Sequence, residues 1–122
     1  MARIIRIDGK SAVSQAPEQE DVVDLGIRYA EIAALPAEGA SFNRGSVPAG
    51  VTVPAHAGPN AYALFVVSGG ADLTLHAEDG SETERLSCAE GDLLLFPPNC
   101  QHGWINESAK NFEWFGVDFV GK

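Results

Sequence analysis

Apolar residues come in short runs along this chain, broken by glycines, prolines and acidic turns, and no stretch keeps an apolar face at the helical period of about 3.6 residues. The pattern therefore predicts strands. Candidates are ARIIRI, IRYAEIAAL, VTVPAH, YALFVVS, ADLTLHA, TERLS, DLLLFP, HGWIN and FEWFGVDFV, each bounded by turn residues such as PAG, GPN, SGG, EDGS, AEGD or PPN. Many short strands at near-regular spacing predict an all-β sandwich or barrel with little helix. Between Asp8 and Leu25 the sequence turns polar and acidic, which predicts a long surface connection wrapping the outside of the barrel.

The faces of these strands differ. In ADLTLHA, period-2 alternation places Leu73, Leu75 and Ala77 on one face and Asp72, Thr74 and His76 on the other, so His76 is expected to point to solvent. YALFVVS, DLLLF and FGVDFV instead carry apolar residues on both faces. A sheet with one solvated side should alternate, so these runs predict a covered outer face. The cover is either the N-terminal strands or a second copy, and the expectation is a homodimer.

With 122 residues the chain suits a single domain, taken as 1–122. Its net charge of -9 opposes the counterion release that drives nucleic-acid binding and is unfavourable at an anionic membrane surface. Neither nucleic acid nor membrane is an expected partner. No window reaches the roughly 20 apolar residues of a membrane span, and MARIIRIDGKSAVSQ has no signal-peptide core, so the expected location is the cytoplasm. Cys88 and Cys100 are then expected to be reduced thiols.

Two stretches carry the chemistry. In GDLLLFPPNCQHGWIN, Gly91 is followed after five residues by Pro97, then Asn99, His102 and Asn106. The order resembles the second motif of the cupin family, G(X)5PXG(X)2H(X)3N, with Asn99 where the motif has a glycine. The earlier stretch gives Gly50, His56, Gly58, Tyr62 and Gly69, which resembles the first cupin motif, G(X)5HXH(X)3-4E(X)6G. The resemblance covers residues 50–106. It implies a double-stranded β-helix, the jelly-roll barrel of that family.

In metal-dependent cupins, two histidines and a glutamate of the first motif meet the histidine of the second inside the barrel. This sequence keeps His56 and His102 and has Gly58 and Tyr62 at the other positions. Independently of the family, both histidines flank turns at strand ends, where a small barrel opens its mouth. Two imidazoles alone leave a tetrahedral zinc short of ligands, and a facial iron triad needs a carboxylate. The resemblance leaves open one divalent metal at His56 and His102, zinc, iron, nickel or manganese, completed by Tyr62, Asn60, Cys100 or water.

The expected ligand-binding residues are His56, Asn60, Tyr62, Cys100, His102 and Trp104, with Trp104 projecting to the same side as His102. Asn60 and Asn106 are equally well explained as backbone caps. Three functions compete: a barrel whose His56/His102 pocket binds a small polar molecule; a metal-dependent oxygenase, isomerase or lyase with a nonstandard third ligand; and a non-catalytic structural or partner-binding barrel. Whether Asp118 brings a carboxylate into the barrel is left open.

Overall fold

The computed structural model describes residues 5–6, 14–15, 19–22 and 25–120. Twelve strands run through them: β1 (Ile5–Arg6), β2 (Ser14–Gln15), β3 (Glu20–Asp21), β4 (Arg28–Leu35), β5 (Ala40–Val47), β6 (Thr52–His56), β7 (Tyr62–Ser68), β8 (Gly70–His76), β9 (Glu82–Ala89), β10 (Leu93–Phe96), β11 (His102–Ile105) and β12 (Phe112–Asp118). Helix is confined, among the described residues, to a single 3-10 turn at Pro36–Glu38. None of them forms a helix long and apolar enough to cross a membrane.

The strands form a six-stranded sheet, ordered β10-β7-β12-β5-β4-β3, and a four-stranded sheet, ordered β6-β11-β8-β9, with β1 and β2 as a short parallel pair. Pairing within both large sheets is antiparallel, and most neighbours are distant in sequence. Strands that alternate between two packed sheets in this way make the expected all-β double-stranded β-helix.

Alternation decides which side chains enter the core. On β12, Phe112, Trp114 and Gly116 are buried while Glu113, Phe115 and Val117 between them are less so. On β7, Leu64 and Val66 are buried while Phe65 and Val67 are exposed. Val47, Val66 and Trp114 from the larger sheet meet Val53, Leu73 and Trp104 from the smaller one in a single cluster. Burial of aliphatic and aromatic area of this kind contributes about 1.5–3 kcal/mol per large side chain.

Three expectations from the sequence need correction. The strand β5 was not anticipated, because ASFNRGSV lacks the β-branched and aromatic density that marks a strand. It nevertheless lies inside the larger sheet, paired with β12 on one side and β4 on the other. The acidic connection does not merely wrap the outside: Val22 and Leu25 pack against the core. His76 is not a free surface histidine either. Its Nδ1 lies 2.9 Å from the Gly80 carbonyl oxygen and its Nε2 2.9 Å from Thr74 Oγ1, and Thr74 is itself buried.

Candidate ligand cavity

His56 ends β6 and His102 begins β11, and the two residues stand directly opposite each other across that antiparallel pair. Opposed residues bring their Cβ atoms to about 5 Å. The rings accordingly meet with centroids 4.4 Å apart, and His102 also stacks on Phe96 at 4.5 Å. Each ring is tethered by backbone two residues before it: His56 Nδ1 lies 3.0 Å from the Pro54 carbonyl oxygen in β6, and His102 Nδ1 2.8 Å from that of Cys100 in the turn before β11. A carbonyl oxygen only accepts, so Nδ1 carries the proton in both rings and Nε2 is left for the cavity. Burial, with the nearby His56 adding to it, pushes the His102 pKa down to about 4, so this ring is neutral at pH 7.

The facing sheet supplies a second polar group. The Tyr62 hydroxyl donates to Asn43 Oδ1 and accepts from Trp114 Nε1 at 3.1 Å. Tyr62 reaches Asn43 by crossing β12 at Gly116, where a Cβ would collide with the phenol oxygen. Gly45, opposite Trp114, makes room for the indole ring in the same way. Burial raises the Tyr62 pKa well above its ordinary value, which keeps the phenol protonated.

Between the sheets lies a cavity of about 300 Å³. His56, Asn60, Tyr62, Cys100, His102 and Trp104 all line it. Sequence reasoning had not placed Tyr29, Trp114, Val22 or Leu25 on its wall, yet they belong to it. Trp114 was legible only as one of several aromatics in FEWFGVDFV. Asp118 does enter: it lines the cavity, and its Oδ1 is shielded from solvent without a hydrogen-bond partner among the described residues. Trp104 is both core and wall, 1% exposed and packed on Phe112 and Trp114. Asn106 does not reach the cavity. Its amide donates to the Val47, Pro48 and Lys110 carbonyls and accepts from Ser108, so it caps backbone.

The glycine positions of the two motifs have a conformational cause. Gly50, Gly69 and Gly91 take φ of 77°, 78° and 94°, and Asn99, where the second motif has its other glycine, takes φ of 61°. Asparagine is among the few non-glycine residues that tolerate this left-handed region.

The family model described as Cupin domain matches residues 44–118. The chain belongs to the cupin family. Solved cupins share its fold: a Cupin 2 conserved barrel domain protein from Salinispora arenicola has a TM-score of 0.64 at 20% identity, covering 84% of this chain and 82% of that one. An RmlC-like cupin with a double-stranded β-helix from Methanocaldococcus jannaschii gives 0.62 at 21% identity, covering 84% and 88%. A predicted oxalate decarboxylase from Thermotoga maritima gives 0.65 at 16% identity, covering 84% and 92%. No curated protein matches the sequence.

The donor set of this cupin does not fit the four-ligand metal site that its motif resemblance implies. No three of His, Cys, Asp and Glu converge among the described residues. Tyr62 is engaged on both sides of its oxygen and is held protonated. The Cys100 thiol is pushed up by burial, away from the thiolate that would ligate. Asp118 lies on β12 in the sheet facing the histidine pair. Without a metal, the phenol of Tyr62 and the thiol of Cys100 are both protonated groups, and the ready donors are the two imidazoles.

Proposed function

We propose that this cupin is a small-molecule-binding barrel that takes its ligand directly between the two sheets, without a resident metal. The cavity carries the reading: about 300 Å³, walled mainly by aromatic and aliphatic side chains and provided with a few polar groups at fixed positions. The sequence alone suggested a small polar molecule. The wall favours a ligand with an apolar body and polar ends, its body against Trp104 and Phe96 and a hydrogen-bond donor on His102 Nε2.

The second reading, a metal-dependent oxygenase, isomerase or lyase, has one observation in its favour. Both imidazoles are tethered through Nδ1 with Nε2 free, the arrangement by which metal-ligating histidines are oriented. It lacks a third ligand, and for that reason ranks second.

Both tryptophans of the chain line the cavity, so ligand entry reads out as a change in intrinsic fluorescence. The experiment uses protein purified without a histidine tag. Metal content near zero, with benzyl alcohol shifting the emission saturably and the shift lost in His102→Ala, is the expected result. One equivalent of a single metal ion in the purified protein, removed by His56→Ala, would establish the second reading instead.

A further inference from the structure

We infer that the cavity selects a cationic or strongly donating ligand, an ammonium group on a compact apolar body, with Asp118 as the residue that determines this preference. The inference rests on the binding reading above and deepens it. Its basis is the charge of the wall: Asp118 is the one carboxylate among the described residues that line the cavity. Asp118 Oδ1 is a carboxylate oxygen, shielded from solvent and without a partner among the described residues. An ionised carboxylate only accepts. His102 Nε2 also accepts, because its Nδ1 proton is committed to the Cys100 carbonyl. The Tyr62 hydroxyl has spent its proton on Asn43.

Among the described residues that line the cavity there is no lysine or arginine, so their wall carries a carboxylate and no fixed positive charge. The carboxylate acts on its surroundings: Asp118 contributes to raising the pKa of both Tyr29 and Tyr62, though burial is the larger cause in each. An anionic ligand meets that field with only the neutral donors of Tyr29 and Asn60 to offset it, whereas an ammonium is attracted to the Asp118 side of the wall. Because Asp118 stands on the larger sheet and the histidine pair on the smaller, a ligand bridges them with its ring between the sheets. A charge-assisted hydrogen bond in such a site is roughly twice as strong as a neutral one.

Benzylammonium, benzyl alcohol and benzoate, nearly equal in size, test this by tryptophan fluorescence titration at pH 7. The expected order is benzylammonium tightest, by about tenfold over benzyl alcohol, with benzoate weakest. Asp118→Asn should bring benzylammonium down to the level of benzyl alcohol and leave benzyl alcohol unchanged. The control Glu84→Gln removes the same formal charge from an exposed position on β9 and should leave the preference intact, which separates a local partner from the general field of a chain with net charge -9. Benzoate binding as tightly as benzylammonium to the unaltered protein overturns the inference, even if Asp118→Asn fails to fold. So does an undiminished ammonium preference in a folded Asp118→Asn. Saturable binding of benzyl alcohol with no preference for benzylammonium refutes this inference and leaves the cavity reading standing. Failure of every probe to bind refutes the cavity reading itself and this inference with it.

Discussion

A neutral imidazole buried at His102 is a liability in acid. Its pKa falls from 6.5 to about 4 on folding, so between those pH values the unfolded chain binds a proton that the folded one refuses. The unfolded state holding more protons means stability rises with pH. The contribution is complete above about 6.5 and is lost as pH falls toward 4. Its size is on the order of 3 kcal/mol. Thermal melts from pH 7 to pH 4 should show this loss in the native protein and a shallower slope in His102→Phe; parallel slopes would assign the acid sensitivity elsewhere. Asn99 gives a second residue-scale test. With φ at 61°, Asn99→Gly should change stability by less than about 0.5 kcal/mol, whereas Asn99→Ala should cost about 1 kcal/mol in denaturant titrations.

At the scale of the element, β5 and β12 show how the larger sheet makes space for its polar platform. Gly45 and Gly116 leave room for the Trp114 ring and the Tyr62 phenol respectively. Gly116→Ala should therefore cost about 1–3 kcal/mol by overpacking and shift the tryptophan emission. In a Tyr62→Phe background, where the phenol oxygen is gone, the same change should cost less. Equal costs in a double-mutant cycle would mean that Gly116 is not there for Tyr62. These elements also mark how far the sequence could be read. β7, β8 and β12 were legible from their apolar runs, and the histidine pair was legible because motif spacing places both residues at strand ends. β5 was not, since its core-facing residue Asn43 is polar and becomes tolerable there only with Tyr62 as its partner, while Ser46, buried on the opposite face, is held by Gln19 Oε1 at 2.8 Å. Asp118 and Tyr29 escaped assignment for a related reason. Strand periodicity says which face a residue takes, not which cavity that face encloses.

At the scale of the whole molecule, the outer face of the larger sheet is unusually apolar for a surface that meets water. Leu93 and Leu95 on the edge strand β10 are 61% and 73% exposed, and Phe65 and Val67 on β7 are 42% and 43% exposed. Register places Leu93 beside Phe65 and Phe65 beside Phe115, which stacks on Phe42, so the patch runs from β10 across to β5. Four strands about 4.8 Å apart and about seven residues long at about 3.4 Å each give roughly 450 Å² of projected face. Two copies joined face to face would bury roughly 900 Å², near the roughly 1,000 Å² at which a specific interface becomes stable. A two-fold contact is self-complementary, so a single apolar patch suffices to make it. Net charge of -9 on each copy opposes approach at long range, and this repulsion is screened beyond about 8 Å at physiological salt. We therefore expect a homodimer through this face at micromolar concentration, with a self-association that strengthens as salt is raised. Sedimentation equilibrium should return the dimer mass for the native chain and the monomer mass for Phe65→Glu/Leu93→Glu, with unchanged circular dichroism. A native chain at monomer mass at every salt concentration would mean that the apolar runs YALFVVS and DLLLF do not mark a contact between copies.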